Sequence, residues 1–249
     1  MLRTNILEGQ LALVTGAGVR VGRALALALA EHGAAVAVHY NVSAAAATDV
    51  VNEIRARGGT AQMFKANLID DGLRAALIPN INREMGTVRI LINNASLFGD
   101  GVFANTTIRE WDDNFDANLK APFFLSQSFA AQEDGRVRGN IINLSDWRGL
   151  RPGNDHFAYT ISKAALIKVT EAMALALAPR IRVNCLALGS ILPPPGRDES
   201  HMQPIISQIP LQQMGSPEDV AAAMLYLLGP GAFVTGETIA IDGGRQLVR

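Results

Sequence analysis

Along the chain, short apolar runs alternate with longer stretches in which apolar residues recur every three or four positions. The runs are QLALVT, AAVAVHY, TAQMFKA, RILINNA, GNIINLS, IRVNCLAL and TIAID. Their length and their content of Val and Ile predict strands buried on both faces. The amphipathic stretches predict helices at Arg20 to Glu31, Ala44 to Arg57, about Ile108 to Gln132, about His156 to Ala178 and Pro217 to Leu228. Strands alternating with helices imply an α/β fold, a single doubly wound Rossmann-type domain over residues 1–249 with a seven-stranded parallel sheet. Ligands of such a sheet lie beyond the carboxyl ends of its strands, where this chain carries Thr15, His39, Asn67, Asn93, Asp146 and Gly189. The rhythm breaks between Ser190 and Gln208, a segment with three consecutive prolines, Pro193 to Pro195. Residues 190–208 are read either as a substrate flap or as an irregular surface loop.

Composition narrows the function. With 49% hydrophobic and 18% charged residues the chain is globular, and a net charge of -1 gives no reason to bind nucleic acid or an anionic membrane. The expected partner is a small molecule. Cys185 is the lone cysteine, which excludes an intrachain disulfide and suits a reducing compartment; it reads as a small core residue. MLRTNILEGQ lacks the apolar stretch of a signal peptide and no apolar run reaches membrane-spanning length, so the cytoplasm is the expected location. No metal site is expected.

The chemistry begins after the first strand, in TGAGVRVG, Thr15 to Gly22. Glycine there permits a tight turn and close approach to a pyrophosphate, while the N-terminus of the following helix offers unpaired N–H groups. A dinucleotide is the expected cofactor, with Gly16, Arg20, Val21 and Gly22 around its phosphates. An NAD-preferring site carries a carboxylate after the second strand to hold the ribose 2'-hydroxyl. This chain instead has His39, Tyr40, Asn41 and Ser43, polar and without negative charge, which favours NADPH. His39 is alternatively a strand-end residue with no ligand. Farther along, Tyr159 and Lys163 are spaced to share one helix face, where the ammonium is expected to lower the phenol's pKa and let it relay a proton.

The ordered landmarks TGAGVRVG, Asn93-Asn94-Ala95, Asn118, Tyr159 and Lys163, and Asp242-Gly243-Gly244 resemble the short-chain dehydrogenase/reductase family over essentially the whole chain. Two departures stand out. Arg20 replaces the turn's usual middle glycine, and Asp146 stands where the usual catalytic serine would be, with HYNVSAA and NNASLF nearby. These residues resemble the pteridine reductase branch. The resemblance implies a pterin pocket of Arg20, Ser96 and Phe98. It implies catalysis by Asp146, Tyr159 and Lys163, with Asn118 holding a water in the proton relay. It also implies cofactor contacts at Asn67, Leu68, Asn94, Ala95, Ser96, Tyr159, Lys163, Gly189 and Ile191, and a homo-oligomer, a tetramer. Leu188 replaces the family's proline before Gly189, and Asn67 replaces its usual acidic residue.

Charge logic points the same way. Reducing a ketone builds negative charge on oxygen, which a nearby carboxylate opposes; reducing a ring C=N needs a proton on nitrogen, which a carboxyl group can help deliver. The expected activity is therefore NADPH-dependent reduction of a dihydropterin, dihydromonapterin or dihydrofolate. The alternatives are reduction of a small ketone or 3-oxoacyl thioester, and a non-catalytic NADPH-binding sensor. At the level of residues, Asp146 is open between catalysis and a local role, capping the DWRG turn or pairing with Arg148, with Ser145 taking the serine role. Phe98 is open between stacking on a flat heterocycle and core packing, and Arg20 between a ligand contact and a solvated helix start.

Overall fold

The computed structural model describes residues 5–132, 138–194 and 202–248. Seven strands form the sheet: β1 (Leu11–Val14), β2 (Ala35–Tyr40), β3 (Ala61–Lys65), β4 (Val88–Asn93), β5 (Gly139–Asp146), β6 (Ile181–Leu188) and β7 (Thr238–Ile241). Their order is β3-β2-β1-β4-β5-β6-β7, and every neighbouring pair is parallel. The order reverses between β1 and β4. A crevice opens at such a switch point, because the connections leaving the two strands travel to opposite faces.

Period-two alternation divides the core. Ala12, Val14, Ile90 and Ile92 point to one face, against Leu25 and Leu29 of α1 (Arg20–Glu31), Val50 and Ile54 of α2 (Ala44–Ala56) and Met224 and Leu227 of α9 (Pro217–Leu228). Leu13, Leu91 and Ile141 point to the other, against Leu77 and Ile81 of α3 (Asp71–Met85), Leu125 and Phe129 of α5 (Ala121–Ala130) and Met173 of α7 (Phe157–Leu177). The expected strands and helices are present, and α3 is the longest of three additions. α3 escapes the sequence pattern because Arg74 shares its short buried face with Leu77, Ile78 and Ile81, and a proline, Pro79, stands inside it; the Asp70 carboxylate starts it by accepting the Leu73 N–H at 2.8 Å.

The long helix expected from Ile108 to Gln132 is continuous in space but not uniform. α4 (Ile108–Phe115) passes through a π turn, Asp116–Lys120, into α5. A π turn inside an α-helix rotates the side chains that follow it, and such turns gather at functional sites. Here it carries Asn118. Two short helices complete the sequence: α6 (Trp147–Leu150) directly after β5, and α8 (Gln203–Ile206). Of the expected flap, residues 195–201 lie outside the described residues. Its flanks pack: Ile191 and Met202 are buried, and the Gly215 N–H donates to the Ser190 carbonyl. Among the described residues, no helix is long and apolar enough to cross a membrane, and no His, Cys, Asp and Glu group could hold a metal ion.

Candidate active site

The glycine-rich turn leaves β1 through Thr15, whose buried hydroxyl donates to the Ile92 carbonyl and accepts the N–H groups of Asn94 and Ala95, both at 2.9 Å. One hydroxyl thus pins the end of β4 to the end of β1. The Asn94 side chain returns the link, donating to the carbonyls of Thr15 at 2.8 Å and Gly16 at 3.2 Å. Gly16 sits at φ +63°, and a Cβ on Gly22 would stand 2.3 Å from the Gly16 carbonyl oxygen and 2.5 Å from Asn94 Nδ2. Only hydrogen fits there. The turn can therefore close down on α1, whose first turn has no side-chain cap and no acidic residue. A dinucleotide phosphate fits this cradle of unpaired amides.

His39 occupies a different place from the one expected. Its imidazole is buried; Nδ1 accepts the Gly16 N–H at 3.1 Å, which leaves the proton on Nε2 to donate to the Ala66 carbonyl at 3.1 Å. Both ring nitrogens are spent on the turn, and burial lowers the ring's pKa to about 4. His39 is therefore neutral near pH 7 and offers nothing to a 2'-phosphate. It builds the cradle. Tyr40 packs partly against the α1–α2 core, leaving exposed Asn41 and half-buried Ser43 at the start of α2, where Ser43 makes no side-chain cap. Asn67 is exposed and closes a local turn by accepting the Ile69 N–H, and Leu68 is buried. Ile191 turns its side chain into the core, so only its backbone is free for a cofactor. Gly189 ties β6 to β7 through its N–H to the Ile241 carbonyl, and a Cβ there would lie 2.6 Å from Asp242 Cα.

Across the crevice, β5 ends in Asp146 and α7 presents Tyr159 and Lys163. The Tyr159 hydroxyl donates to Asp146 Oδ2 at 3.1 Å, while Oδ1 accepts the Arg148 N–H at 2.8 Å. Asp146 caps α6 and binds the tyrosine with separate oxygens. The expected cap is present, and it coexists with the contact to the tyrosine. Ser145 does not stand in for the missing serine, because it is buried and donates to the Lys163 carbonyl at 3.0 Å.

The charges of this group differ from expectation. Burial raises the Asp146 carboxyl above its ordinary value, and burial together with Asp146 holds the Tyr159 phenol well above its own. Lys163 does not lower it. Its Nζ donates to the Leu144 carbonyl at 2.8 Å, stands 5.7 Å from the Tyr159 ring centroid, and is itself brought to about 8 by burial. The phenol keeps its proton near pH 7 and donates it in a hydrogen bond to Asp146.

Phe98, at 54% exposed, is not core. Its ring meets Tyr159 edge-on at 4.6 Å between centroids and leans on His156 at 4.2 Å. The loop bearing it is fixed by Asn118, whose Oδ1 accepts the Ser96 hydroxyl and the Leu97 N–H at 2.9 Å, and whose Nδ2 donates to the Leu97 carbonyl at 2.9 Å and Ser162 Oγ at 3.1 Å. The expected water-holding role does not fall to the Asn118 side chain, which has no capacity left. Arg20 adopts φ 53° and crosses to the Leu192 carbonyl at 3.4 Å, spanning the crevice rather than lying along α1.

A family model described as enoyl-(acyl carrier protein) reductase matches residues 16–246. The chain belongs to the short-chain dehydrogenase/reductase family. Among its relatives in that family, the 3-oxoacyl-[acyl-carrier-protein] reductase FabG of Staphylococcus aureus is 36% identical over 240 residues, 95% of this chain and 98% of that enzyme. Among solved structures, the FolM alternative dihydrofolate reductase 1 of Brucella canis, complexed with NADP, superposes with a TM-score of 0.92 at 33% identity, covering 98% of this chain and 96% of that one. A mutant short-chain dehydrogenase/reductase of Serratia marcescens superposes at 0.90 with 30% identity, covering 97% and 100%. Several of these similar family structures hold NADP or NADPH.

Within this short-chain dehydrogenase/reductase site, sequence reasoning named Arg148 only as a partner for Asp146 and missed the residues around it. Arg148 binds Asp155 and stacks on Trp147, Arg245 covers the same indole, and His156 adopts φ 50° at the entrance to α7. The only signal in the chain was the density of charged and aromatic residues in DWRG and DHF.

Proposed function

We propose that the protein is an NADPH-dependent reductase of a pterin-type substrate, a dihydropterin, dihydromonapterin or dihydrofolate. The observation that carries the proposal is the hydrogen bond from Tyr159 to a largely enclosed carboxylate, Asp146, beside an exposed aromatic ring, Phe98. The cradle of Gly16 and Gly22 would hold the pyrophosphate, with Asn41, Ser43 and the amino end of α2 near the 2'-phosphate. Bound there, NADPH supplies a hydride for the carbon of a ring C=N.

The chain's own groups handle the proton. While Asp146 is ionised, it accepts the Tyr159 hydrogen bond and keeps the proton on the phenol. Once protonated, Asp146 donates to the phenol oxygen, so that the phenol O–H can turn to the substrate nitrogen and release its proton while recovering one from Asp146. Lys163, cationic below about pH 8, offsets negative charge on this pair. Phe98 offers an aromatic edge and face for a flat heterocycle.

The second reading is reduction of a 3-oxoacyl thioester, favoured by the 36% identity to FabG of Staphylococcus aureus. A substrate panel separates the two. Purified protein with NADPH is offered a dihydropterin, dihydrofolate and a 3-oxoacyl thioester. The expected kcat/KM for the pterin class exceeds that for the thioester by roughly a hundredfold or more, the margin that hydrogen-bonded recognition can give. The reverse order overturns the proposal, and cofactor binding without turnover of any of them would leave a sensor.

A further inference from the structure

The geometry points to Asp155 as a positioning residue: by holding the Arg148 guanidinium, it keeps Arg148 at the outer limit of an ion pair with Asp146, short of hydrogen-bond contact, and so preserves a carboxyl group able to carry a proton. The inference rests on the proton-delivery role proposed for Asp146.

Two carboxylates compete for one guanidinium. Arg148 Nη2 lies 3.0 Å from Asp155 Oδ2 and Nε 3.5 Å from Oδ1, a fork on one carboxylate, while Nη1 stops 4.0 Å from Asp146 Oδ1. From Arg148, Asp146 accepts a hydrogen bond only through the backbone N–H, which the turn into α6 supplies whatever the side chain does. Stacking on Trp147, 4.8 Å from its centroid, fixes the plane in which the guanidinium swings. Between α6 and α7 the chain has six residues, 151–156, and the left-handed His156 turns it sharply into the helix, with Asp155 on the preceding step. His156 Nε2 lies 3.6 Å from the Asp155 carboxylate. Asp155 is half exposed and held below its ordinary pKa chiefly by its hydrogen bond from Arg148, so it remains a competent anion near neutral pH.

The charged and titratable groups that face Asp146 among the described residues can be named. Tyr159 and Lys163 face it from α7, and Arg148 from α6. Arg245 of the C-terminal turn ends on Trp147 and on Gln208 Oε1. Of these, Arg148 is the cation with a choice of partners, and a guanidinium in direct contact lowers a carboxylate by about 1–3 pKa units. Released from Asp155, Arg148 has about an ångström to travel before it contacts Asp146. Asp146 would then stay ionised and hold the phenol proton.

The test is the titration of Asp146 in the full-length protein, read by carboxyl carbon NMR and assigned with Asp146→Asn, a readout that needs no substrate. Asp155→Asn is expected to lower the Asp146 midpoint by about 1 unit or more. Arg148→Met should abolish that response, so that adding Asp155→Asn produces no further shift. An unmoved midpoint in Asp155→Asn overturns the inference. So does a shift that persists in the Arg148→Met background, which would be the bare field effect of removing a negative charge. The pterin reading can fail separately, by the substrate panel, without altering these titrations.

Discussion

At the ends of β1 and β2 the polar side chains are neutral and already partnered, whereas at the end of β5 an aspartate, a tyrosine and a lysine are enclosed in one cluster. Thr15, His39 and Asn94 spend their hydrogen bonds on backbone, fixing a turn that needs no side chain of its own to meet a phosphate. Asp146, Tyr159 and Lys163 instead have their proton affinities moved by burial and by one another. One side of the crevice is built to keep its shape near neutral pH, where His39 is uncharged. The other is built to respond to pH, which proton delivery requires.

The contrast can be broken most severely at His39. Its pKa of about 4, against 6.5 when unfolded, means that the unfolded chain binds the extra proton first. Stability should therefore be unaffected above about pH 6.5 and fall as pH drops from there to about 4, by on the order of 3 kcal/mol from this residue. Denaturant unfolding across that range checks it. His39→Gln should flatten the slope, and an equal slope in the variant would show that the cradle's acid sensitivity comes from elsewhere.

Gly22→Ala sharpens the contrast on the same side with a smaller effect. The new Cβ meets a backbone oxygen, which cannot rotate away, so the cost is about 1–3 kcal/mol, felt in stability and in NADPH affinity together. Calorimetric binding should show the loss without any change in its pH dependence. Unimpaired NADPH binding would mean that the turn is looser than this packing implies.

How far the sequence could be read follows the same division. The strands are legible because each is a short run rich in apolar residues, and the cradle because glycine at Gly16 and Gly22 has a steric reason visible in one dimension. α3 is hidden by Pro79, and the π turn by the absence of any residue pattern that distinguishes it from helix. His39 is misread because its two partners, Gly16 and Ala66, come from the ends of other strands. Asp146 is legible as a departure from the family's pattern, yet its double engagement with Tyr159 and the Arg148 N–H needs three dimensions. The direction of the Tyr159 shift is also lost in sequence, since helical spacing brings Lys163 near the ring without revealing that Nζ turns to the Leu144 carbonyl.

The most direct measurement is kcat for a dihydropterin and for a ketone, with NADPH, in the native protein and in Asp146→Ser. The account predicts that the substitution lowers pterin turnover by about a hundredfold or more, the usual contribution of a positioned proton donor, while ketone turnover is kept or rises. Undiminished pterin turnover in Asp146→Ser would contradict it, leaving Asp146 as the cap of α6 alone.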